Sequence, residues 1–323
     1  MITERLLDPA LNLPFLVELR PENGTKPDVS VLTSWYQQKE AFIEQTLLKH
    51  GAILFRGFGI NTPGAFARFT RSVSRSLLDN KEENVPRTKL TAGVYTSTEY
   101  PAEYRLSMHS EYSYSHHWPA RLFFCCIVAA REGGETPIAD NREILRSLDP
   151  EIVDQFRQKK VAYLRNLHGG RGFGLAWQTA FQTDNKEVVE KYCLESSIEF
   201  SWTENGLRLR QALDGIITHP GTGEMVWFNQ APQFHPSDYP PDICQSILEV
   251  YKDEAELPQS VRFADGTPMD ATLLDKIRRT MEEKSVLFRW QEGDLLMVDN
   301  VLVSHGRMPF IGPRKILVAM SQN

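Results

Sequence analysis

Three side chains of the kinds that bind transition metals occur in apolar, strand-like parts of this 323-residue chain. His109 and Glu111 lie two residues apart, and His305 follows the apolar run at residues 295–303. Alternate side chains of a β-strand point to the same face, so we expect His109 and Glu111 to project from one side of a strand. Two imidazoles and one carboxylate can occupy one face of an octahedral ion and leave the opposite face to exchangeable ligands. The pattern predicts an Fe(II) site that can bind a co-substrate and O₂.

The same residues have plainer interpretations. A histidine two residues from a glutamate often occurs by chance, and such side chains are commonly just a hydrogen-bonded pair. A zinc hydrolase would use similar ligands, although zinc sites favour tetrahedral closure by histidine or cysteine. A jelly-roll protein without catalytic activity would need no triad at all. The residues that flank the candidate ligands must decide among these alternatives.

The composition is that of an ordinary globular protein, and it argues against some function classes. Apolar residues make up 41% of the chain and charged residues 24%, enough for a core and a polar surface. The net charge of −6 argues against nucleic-acid binding, which needs a basic surface. No apolar run approaches a membrane span, and the N-terminal residues lack the pattern of a secretion signal. With four cysteines that form no zinc or C-x-x-C pattern, we expect a cytoplasmic protein with reduced thiols and no membrane partner.

Periodicity and capping signals predict strands on either side of a helical middle segment. Residues 1–30 look irregular, and residues 31–50 are predicted to form one helix that ends at Gly51. The run at Arg121–Val128 is apolar on both faces, which is typical of a strand in the middle of a sandwich. Further strands are predicted at residues 52–58, 285–290, 294–298 and 315–320. Further helices are predicted after Thr62 and at residues 143–148, 150–159, 186–195, 241–254 and 269–283.

These elements favour a fold that is mainly β with helical inserts. The chain has no repeats and no Gly/Ser-rich linker, and its candidate ligands come from both sides of the helical middle. We therefore predict a single domain over residues 1–323, with a helical insert at about residues 141–283 between scaffold strands. A jelly roll (double-stranded β-helix) fits, because its opposed sheets can bring residues 109, 111 and 305 together.

The flanking residues carry a family resemblance that covers nearly the whole chain. The matching landmarks are residues 51–58 (GAILFRGF), 109–111 (HSE), 118–119 (WP), 133–137 (GGETP), 177–179 (WQT), 227–229 (WFN), Trp290 with Gly293 and Asp294, and 305–310 (HGRMPF) followed by Arg314. In order and separation they resemble the taurine dioxygenase (TauD/TfdA) family of Fe(II)- and 2-oxoglutarate-dependent dioxygenases, most closely its clavaminate-synthase-like and syringomycin-hydroxylase-like branch. The resemblance implies a clavaminate-synthase-like fold and an oxidoreductase that releases succinate and CO₂ while it oxidises a substrate with O₂.

The resemblance also implies site residues. Fe(II) would be bound by His109, Glu111 and His305, and 2-oxoglutarate would be anchored by Arg314 and Thr136. The chemistry of these residues agrees, since a co-substrate that chelates iron at one end leaves its far carboxylate buried and in need of a partner. Arg314 offers a planar guanidinium that suits a carboxylate, and the Thr136 hydroxyl can add one more donor.

Two departures from the taurine enzyme's pattern bear on the substrate. Glu111 stands where that enzyme has aspartate, which places the chain in a branch that often acts on amino acids or their carrier-bound forms. The sulfonate-binding arginine of the taurine enzyme has no counterpart, because its place falls near Val318, so taurine is not expected. We expect hydroxylation of an unactivated C–H bond of an amino acid, free or tethered to a carrier protein, in natural product biosynthesis. Desaturation or cyclisation of a small metabolite is the alternative, and a halogenase is disfavoured because it would lack the carboxylate ligand.

Other polar residues have weaker claims on the site. Arg307 would line the pocket or pair with an acid. Trp227, Asn229 and Gln230 would form either a substrate wall or a structural corner. Five further histidines are not expected to bind iron, and they are His116, His117, His168, His219 and His235. The glycine-rich segment 169–174 around Arg171 lacks a phosphate-binding pattern and is predicted to be a mobile lid.

Overall fold

The computed structural model describes residues 1–20, 27–78, 88–91, 93–97, 100–251 and 253–322. The strands are β1 (Ile2–Leu6), β2 (Phe15–Leu19), β3 (Ala52–Arg56), β4 (Lys89–Thr91), β5 (Val94–Thr96), β6 (Leu106–His109), β7 (Arg121–Val128), β8 (Glu132–Gly133), β9 (Ile138–Asp140), β10 (Val161–His168), β11 (Glu199–Thr203), β12 (Gly206–Leu213), β13 (Ile216–Thr218), β14 (Met225–Trp227), β15 (Gln259–Phe263), β16 (Leu295–Asp299), β17 (Val303–Arg307), β18 (Phe310–Ile311) and β19 (Lys315–Ser321). The α-helices are α1 (Val29–Gln38), α2 (Glu40–His50), α3 (Pro63–Val73), α4 (Asn141–Ser147), α5 (Pro150–Lys159), α6 (Trp177–Phe181), α7 (Lys186–Glu195), α8 (Ala231–Phe234), α9 (Pro241–Val250) and α10 (Ala271–Glu283). Short 3₁₀ helices lie at Pro236–Asp238 and Glu254–Glu256. Among the described helices, none has the length and apolarity that crossing a membrane would require.

The larger sheet supplies the scaffold, in the described order β1-β2-β3-β16-β7-β19-β5-β4. Strand β7 lies between β16 and β19, with Cys125 opposite Leu295 on one side and Leu317 on the other. Its neighbouring side chains point to opposite faces. Phe123 packs in the core cluster on the side of helices α1 to α3, and Phe124 packs in the cluster on the other side. Both faces of this strand are therefore buried, which explains its continuous apolar sequence.

A smaller sheet, in the order β6-β17-β9, carries the candidate histidines. In the antiparallel pair of β6 and β17, His305 is directly opposite His109. On its other side, β17 pairs with β9, where His305 is opposite Ile138. Sequence positions that are almost two hundred residues apart thus become cross-strand neighbours.

Two predictions for the first fifty residues are wrong. Residues 1–30 are not wholly irregular, because β1 pairs antiparallel with β2, and β2 pairs parallel with β3. The helix predicted at residues 31–50 is two helices, since Lys39 leaves the helical conformation (φ −114°, ψ 17°) between α1 and α2. The predicted cap at Gly51 is confirmed, because this residue has φ 70° and its N–H donates to the Leu47 carbonyl.

The segment predicted as a helical insert is only partly helical. Helices α5 and α7 have the predicted bounds, whereas α9 ends at Val250 rather than at residue 254. The same segment also contains a four-stranded antiparallel sheet in the order β11-β12-β10-β15. Strand β12 alternates buried and exposed residues, so its charged, solvent-facing positions dilute the apolar signal. The strand predicted at residues 285–290 is reduced to one bridge between Val286 and Ile138.

Candidate metal centre

The three candidate ligands converge on one point in the core. Glu111 Oε2 lies 3.7 Å from His305 Nε2 and 4.0 Å from His109 Nε2. One ligand atom from each residue lies within 4.8 Å of those of the other two, and all three residues are buried. Among the described residues, this is the group of His, Cys, Asp and Glu side chains with the geometry to hold a metal ion. Two imidazoles and a carboxylate are a donor set that suits Fe(II).

The prediction that His109 and Glu111 share one strand is wrong. Strand β6 ends at His109, and Glu111 lies in the turn that follows it. The Glu111 backbone is held instead by Asn300, whose Oδ1 accepts from the Glu111 N–H at 2.7 Å and whose Nδ2 donates to the Glu111 carbonyl at 2.8 Å. The same Nδ2 donates to the Pro119 carbonyl at 2.9 Å, and Asn300 is fully buried. A side chain that follows β16, rather than strand alternation, therefore positions the carboxylate.

A backbone hydrogen bond selects the ring nitrogen that His109 presents to the triad. Its Nδ1 lies 2.8 Å from the Ser107 carbonyl oxygen. A carbonyl can only accept, so the proton sits on Nδ1 and the lone pair of the neutral ring on Nε2, the nitrogen nearer to Glu111. Hydrogen bonds of this kind orient metal-binding histidines and raise their basicity. His305 is oriented by packing against Phe124, with ring centroids 5.0 Å apart.

Beside the triad, a cavity of about 40 Å³ contains the predicted anion-binding groups Arg314 and Thr136. Arg314 Nε donates to the Gly134 carbonyl at 2.9 Å, and Nη2 lies 3.5 Å from Thr136 Oγ1. Burial lowers the pKa of Arg314 to about 10. Within the described part of the chain, none of the ion pairs includes Arg314, so its charge has no carboxylate partner.

Thr136 and Gly134 lie next to the Arg314 side chain. Thr136 Oγ1 accepts a hydrogen bond from Trp290 Nε1 at 3.1 Å, which leaves the hydroxyl proton to donate to a bound anion. Gly134 has φ +73°, and a Cβ there would lie 3.0 Å from Arg314 Cδ. Arg314 and Thr136 therefore offer hydrogen-bond donors that suit a carboxylate, in the same cavity that His109 and His305 line.

Arg307 lines the same cavity, but its guanidinium is hydrogen-bonded to backbone carbonyls. Its Nη1 donates to the Tyr100 carbonyl at 2.8 Å, and its Nη2 donates to the carbonyls of Pro101 and Tyr104 at 2.6 and 2.8 Å. The guanidinium also lies over the Phe310 ring, 5.1 Å from its centroid. Arg307 thus holds residues 100–104 at the edge of this cavity, and among the described residues it forms no ion pair with an acid.

Residues 227, 229 and 230 do not line this cavity, which corrects their interpretation as a substrate wall. Trp227 is fully buried and packs on Phe156, with ring centroids 4.6 Å apart. Asn229 Nδ2 donates to the Gly215 carbonyl at 2.9 Å, and the Gln230 N–H donates to the Tyr163 hydroxyl at 2.8 Å. The alternative interpretation, a structural corner, describes their positions.

The other histidines lie away from the triad. His116 and His117 are exposed, and His117 Nε2 lies 3.1 Å from Ser196 Oγ. His219 Nε2 lies 3.1 Å from Asp299 Oδ2, and its Nδ1 accepts from backbone N–H groups. His168 and His235 likewise accept backbone N–H groups through Nδ1. Their hydrogen bonds are those of structural histidines.

We call the cavity of about 40 Å³ beside the triad the metal pocket. A second, larger cavity of about 820 Å³ adjoins it, and Leu106 lines both. Its wall includes Tyr100 and Tyr104 from the segment held by Arg307, and Phe173 from the glycine-rich segment. Phe173 is 64% exposed, so the aromatic ring at this edge is largely in solvent. The cavity is large enough for a small-molecule substrate.

Comparisons with known proteins identify the family of the chain. The profile of the family described as "Taurine catabolism dioxygenase TauD, TfdA family" matches residues 18–320. Dapdiamide synthesis protein DdaC of Enterobacter agglomerans is 40% identical over 310 residues, which cover 94% of this chain and 93% of DdaC. A clavaminate synthase-like protein of Arabidopsis thaliana is 27% identical over 324 residues, covering 95% of this chain and 93% of that protein.

Solved structures share the fold. PvcB of Pseudomonas aeruginosa superposes with a TM-score of 0.57 at 16% identity, over 99% of this chain and 91% of PvcB. A second structure of PvcB, described as an Fe, α-ketoglutarate-dependent oxygenase from an isonitrile synthetic pathway, gives a TM-score of 0.56 with the same identity and coverage. AAD-2 bound to Mn(II) and N-oxalylglycine gives 0.53 at 16% identity, over 99% of this chain and 97% of AAD-2. These structures confirm the predicted jelly-roll class.

Proposed function

Because this chain belongs to the TauD, TfdA family and is a 2-oxoglutarate-dependent dioxygenase, we propose that it hydroxylates an unactivated C–H bond of an amino acid or of a carrier-tethered aminoacyl substrate. Fe(II), 2-oxoglutarate and O₂ are the cofactor and co-substrates of such an enzyme, and succinate and CO₂ are the co-products. The related DdaC is named for dapdiamide synthesis, which supports a role in natural product biosynthesis. The alternative within the same chemistry is desaturation or cyclisation of a small metabolite.

We propose that His109, Glu111 and His305 hold the iron, and that Arg314 and Thr136 hold the far carboxylate of 2-oxoglutarate. The observation that carries this proposal is the partly buried guanidinium of Arg314, which lines the cavity of the two histidines without a carboxylate in ion-pair distance among the described residues. A cation in that position is costly unless an anion joins it, and 2-oxoglutarate supplies the anion. When bound, Fe(II) would supply the activation of O₂ that this oxidation requires.

The protein's own residues then position the reactants. Asn300 and Ser107 fix Glu111 and His109 through the backbone, and Arg314 with Thr136 sets the direction of the co-substrate. The larger cavity beyond Leu106 gives the substrate a place next to the metal pocket. Side chains on this wall orient a C–H bond and limit the access of water, and they need not carry protons for the reaction.

The domain organisation and the location of the protein belong to the same proposal. We infer one catalytic domain over residues 1–323, supported by the pairing of β6 with β17 across the predicted insert at residues 141–283. A cytoplasmic location is supported by the thiols of Cys125, Cys126 and Cys244, which form no disulfide. A carrier protein that presents the substrate remains part of the proposal, alongside a free small molecule.

The test is an anaerobic titration with Fe(II) and 2-oxoglutarate, followed by a substrate screen in air. Succinate release, coupled to the mass of the product, is the readout. We expect an amino acid or its carrier-bound form to stimulate succinate release and to gain one oxygen atom. A product that loses two hydrogen atoms would support the desaturation or cyclisation alternative. A screen in which only sulfonates or aryloxy acids stimulate 2-oxoglutarate consumption would overturn the proposed substrate class.

A further inference from the structure

The wall of the larger cavity includes a carboxylate placed close to the metal pocket. Asp238 ends the 3₁₀ helix Pro236–Asp238, and its side chain is 17% exposed. The Ser107 hydroxyl donates to Asp238 Oδ1, and Arg278 Nε lies 3.3 Å from the same oxygen. All three residues line the cavity.

The charge of Asp238 is only partly compensated by the protein. Arg278 is shared, because its Nη1 pairs with Asp275 and its Nη2 donates to the Pro232 carbonyl and to Ser237 Oγ. Its Nε contact with Asp238 lacks hydrogen-bond geometry. Both contacts of Asp238 fall on Oδ1, and within the described residues no hydrogen bond reaches Oδ2. Burial raises the pKa of Asp238, and the Ser107 hydrogen bond and the nearby arginines offset this effect only in part.

Asp238 is linked to the candidate iron ligand through a single residue. Ser107 donates its hydroxyl to Asp238 and accepts the Nδ1 proton of His109 at its carbonyl. Leu106, the neighbour of Ser107, lines both cavities. A substrate group bound to Asp238 would therefore leave the rest of that molecule next to the metal pocket.

The charged groups around the cavity favour a cationic group at this position. The arginines on the wall are engaged by acids, Arg105 by Glu282 and Arg278 by Asp275. Because both guanidinium groups already pair with acids, these wall residues offer no free cation to a carboxylate or sulfonate of a substrate. A protonated amine would find Asp238.

Aromatic rings on the same wall add to this preference. Tyr100, Tyr104 and Tyr239 line the cavity with Asp238. Aromatic faces attract ammonium groups, and the attraction grows when the site excludes water. A carboxylate and aromatic rings in one cavity therefore favour an ammonium group over an anion.

We propose that Asp238 is a specificity-determining residue that binds a protonated amino group of the substrate in the larger cavity. This inference rests on the proposed function, because it names the substrate group that the oxygenase recognises. It predicts that the substrate carries a free amine when it binds, and that blocking this amine weakens binding. A charged hydrogen bond of this kind corresponds to about a 10- to 100-fold difference in affinity.

The experiment compares free amines with their blocked forms on the intact enzyme. The probes are the proteinogenic L-amino acids with β-alanine and ornithine, and the N-acetyl derivative of each. Binding is measured by calorimetry without O₂, in the presence of Fe(II) and 2-oxoglutarate. We expect at least one amino acid to bind and its N-acetyl form to bind about 10- to 100-fold more weakly. Asp238→Asn keeps an oxygen for the Ser107 hydroxyl but removes the charge, and it should bring the two affinities to within about threefold of each other.

Asp275→Asn is the matched control, because Asp275 also lines the cavity and pairs with Arg278, but it is 54% exposed. It should retain the wild-type preference for the free amine. The inference is overturned if no free amine binds, if N-acetylation has no effect on the wild type, or if Asp238→Asn keeps the preference. Basal succinate release from 2-oxoglutarate is recorded in parallel. If it persists while the amine preference fails, the oxygenase proposal stands and only the role of Asp238 is lost.

Discussion

The metal pocket and the larger cavity share Leu106 but are built differently. The metal pocket draws its histidines from paired strands, and its key side chains are held by backbone or buried polar groups, as Asn300 holds Glu111. The larger cavity is lined mainly by loops and short helices, including residues 100–104, 173–175 and 237–240. Some of its charged wall residues extend into solvent, as the 47% exposed side chain of Arg105 does, whereas Asp238 and Arg278 are largely buried.

This difference separates the chemistry from the choice of substrate. A metal centre requires ligand atoms placed to within a fraction of an ångström, which rigid strands and buried hydrogen bonds provide. Loops on a rigid scaffold can change without disturbing that geometry, and binding residues are commonly found there. We therefore expect substitutions in the metal pocket to remove or weaken the reaction, and substitutions around the cavity to change which substrate is used.

The largest effect is expected at the triad. We expect His109→Ala, Glu111→Ala and His305→Ala each to abolish turnover. Each should also weaken iron binding by more than about a hundredfold, which exceeds the usual effect of losing a residue that hydrogen-bonds to a metal ligand. The fold should persist, because apolar strands such as β7 and β16 form the scaffold. Iron titration, succinate release and thermal unfolding measure the three quantities. Wild-type succinate production by His305→Ala at saturating iron would show that the site is misplaced.

The next effect concerns Arg314. Removal of one partner of a buried charge pair costs about 2 to 5 kcal/mol, so Arg314→Ala should weaken the apparent affinity for 2-oxoglutarate by roughly 30-fold to several-thousand-fold. Arg314→Lys should rescue poorly, because it lacks the planar fork. The measurement is the dependence of rate on 2-oxoglutarate at saturating prime substrate. If the apparent 2-oxoglutarate affinity of a folded variant fell less than about fivefold, only about 1 kcal/mol, another residue would have to bind the far carboxylate.

A smaller effect is expected at Asn300, which positions Glu111 without touching the ion. Asn300→Ala removes both hydrogen bonds to the Glu111 backbone, and iron affinity should fall by about 10- to 100-fold, as for other outer partners of metal ligands. Asn166→Ala is the matched control, since Asn166 also binds two backbone carbonyls, of Ala255 and Leu257, but lies in the four-stranded sheet. Equal iron affinities in the two variants would refute the positioning role.

Arg307 lies between the two regions and should affect the cavity more than the pocket. Arg307→Met releases the carbonyls of Tyr100, Pro101 and Tyr104, and two of these residues form the cavity wall. We expect the half-saturating concentration of the prime substrate to rise roughly tenfold. The shift for 2-oxoglutarate should be smaller than that of Arg314→Ala. If 2-oxoglutarate binding fell further than prime-substrate binding, Arg307 would belong to the co-substrate anchor.

The smallest effect on activity is expected at Trp227, in the buried corner. Trp227→Phe leaves a gap against Phe156 and should lower the free energy of unfolding by about 1 to 3 kcal/mol. The kinetic constants per folded molecule should remain within about twofold of the wild type, because the indole lines neither cavity. Denaturant unfolding and steady-state kinetics separate the two effects. A change in substrate preference would indicate that Trp227 contacts the substrate.

The amino-acid sequence alone was sufficient to nominate the groups that now meet around the metal pocket. His109, Glu111 and His305 could be recognised because metal coordination restricts the residue types, and their flanking motifs resemble one family. Arg314 was implied by the same resemblance, and chemistry agrees with it because a buried carboxylate needs a hydrogen-bonded cationic partner. Helix α5 was predicted with its bounds because Asp149 and Pro150 mark its start in the local sequence.

Only the tertiary structure decided how these groups are held. The Glu111 backbone is held by Asn300, 189 positions away, and strand periodicity assigned it to the wrong element. Trp227 lies in a corner because Phe156 and the strands around it exclude it from the cavities, which no local pattern reveals. Local sequence specifies residue type and the tendency to form a strand or helix. Contacts between distant side chains and backbone form only when the whole chain has packed, and these contacts place the carboxylate and shape the cavity.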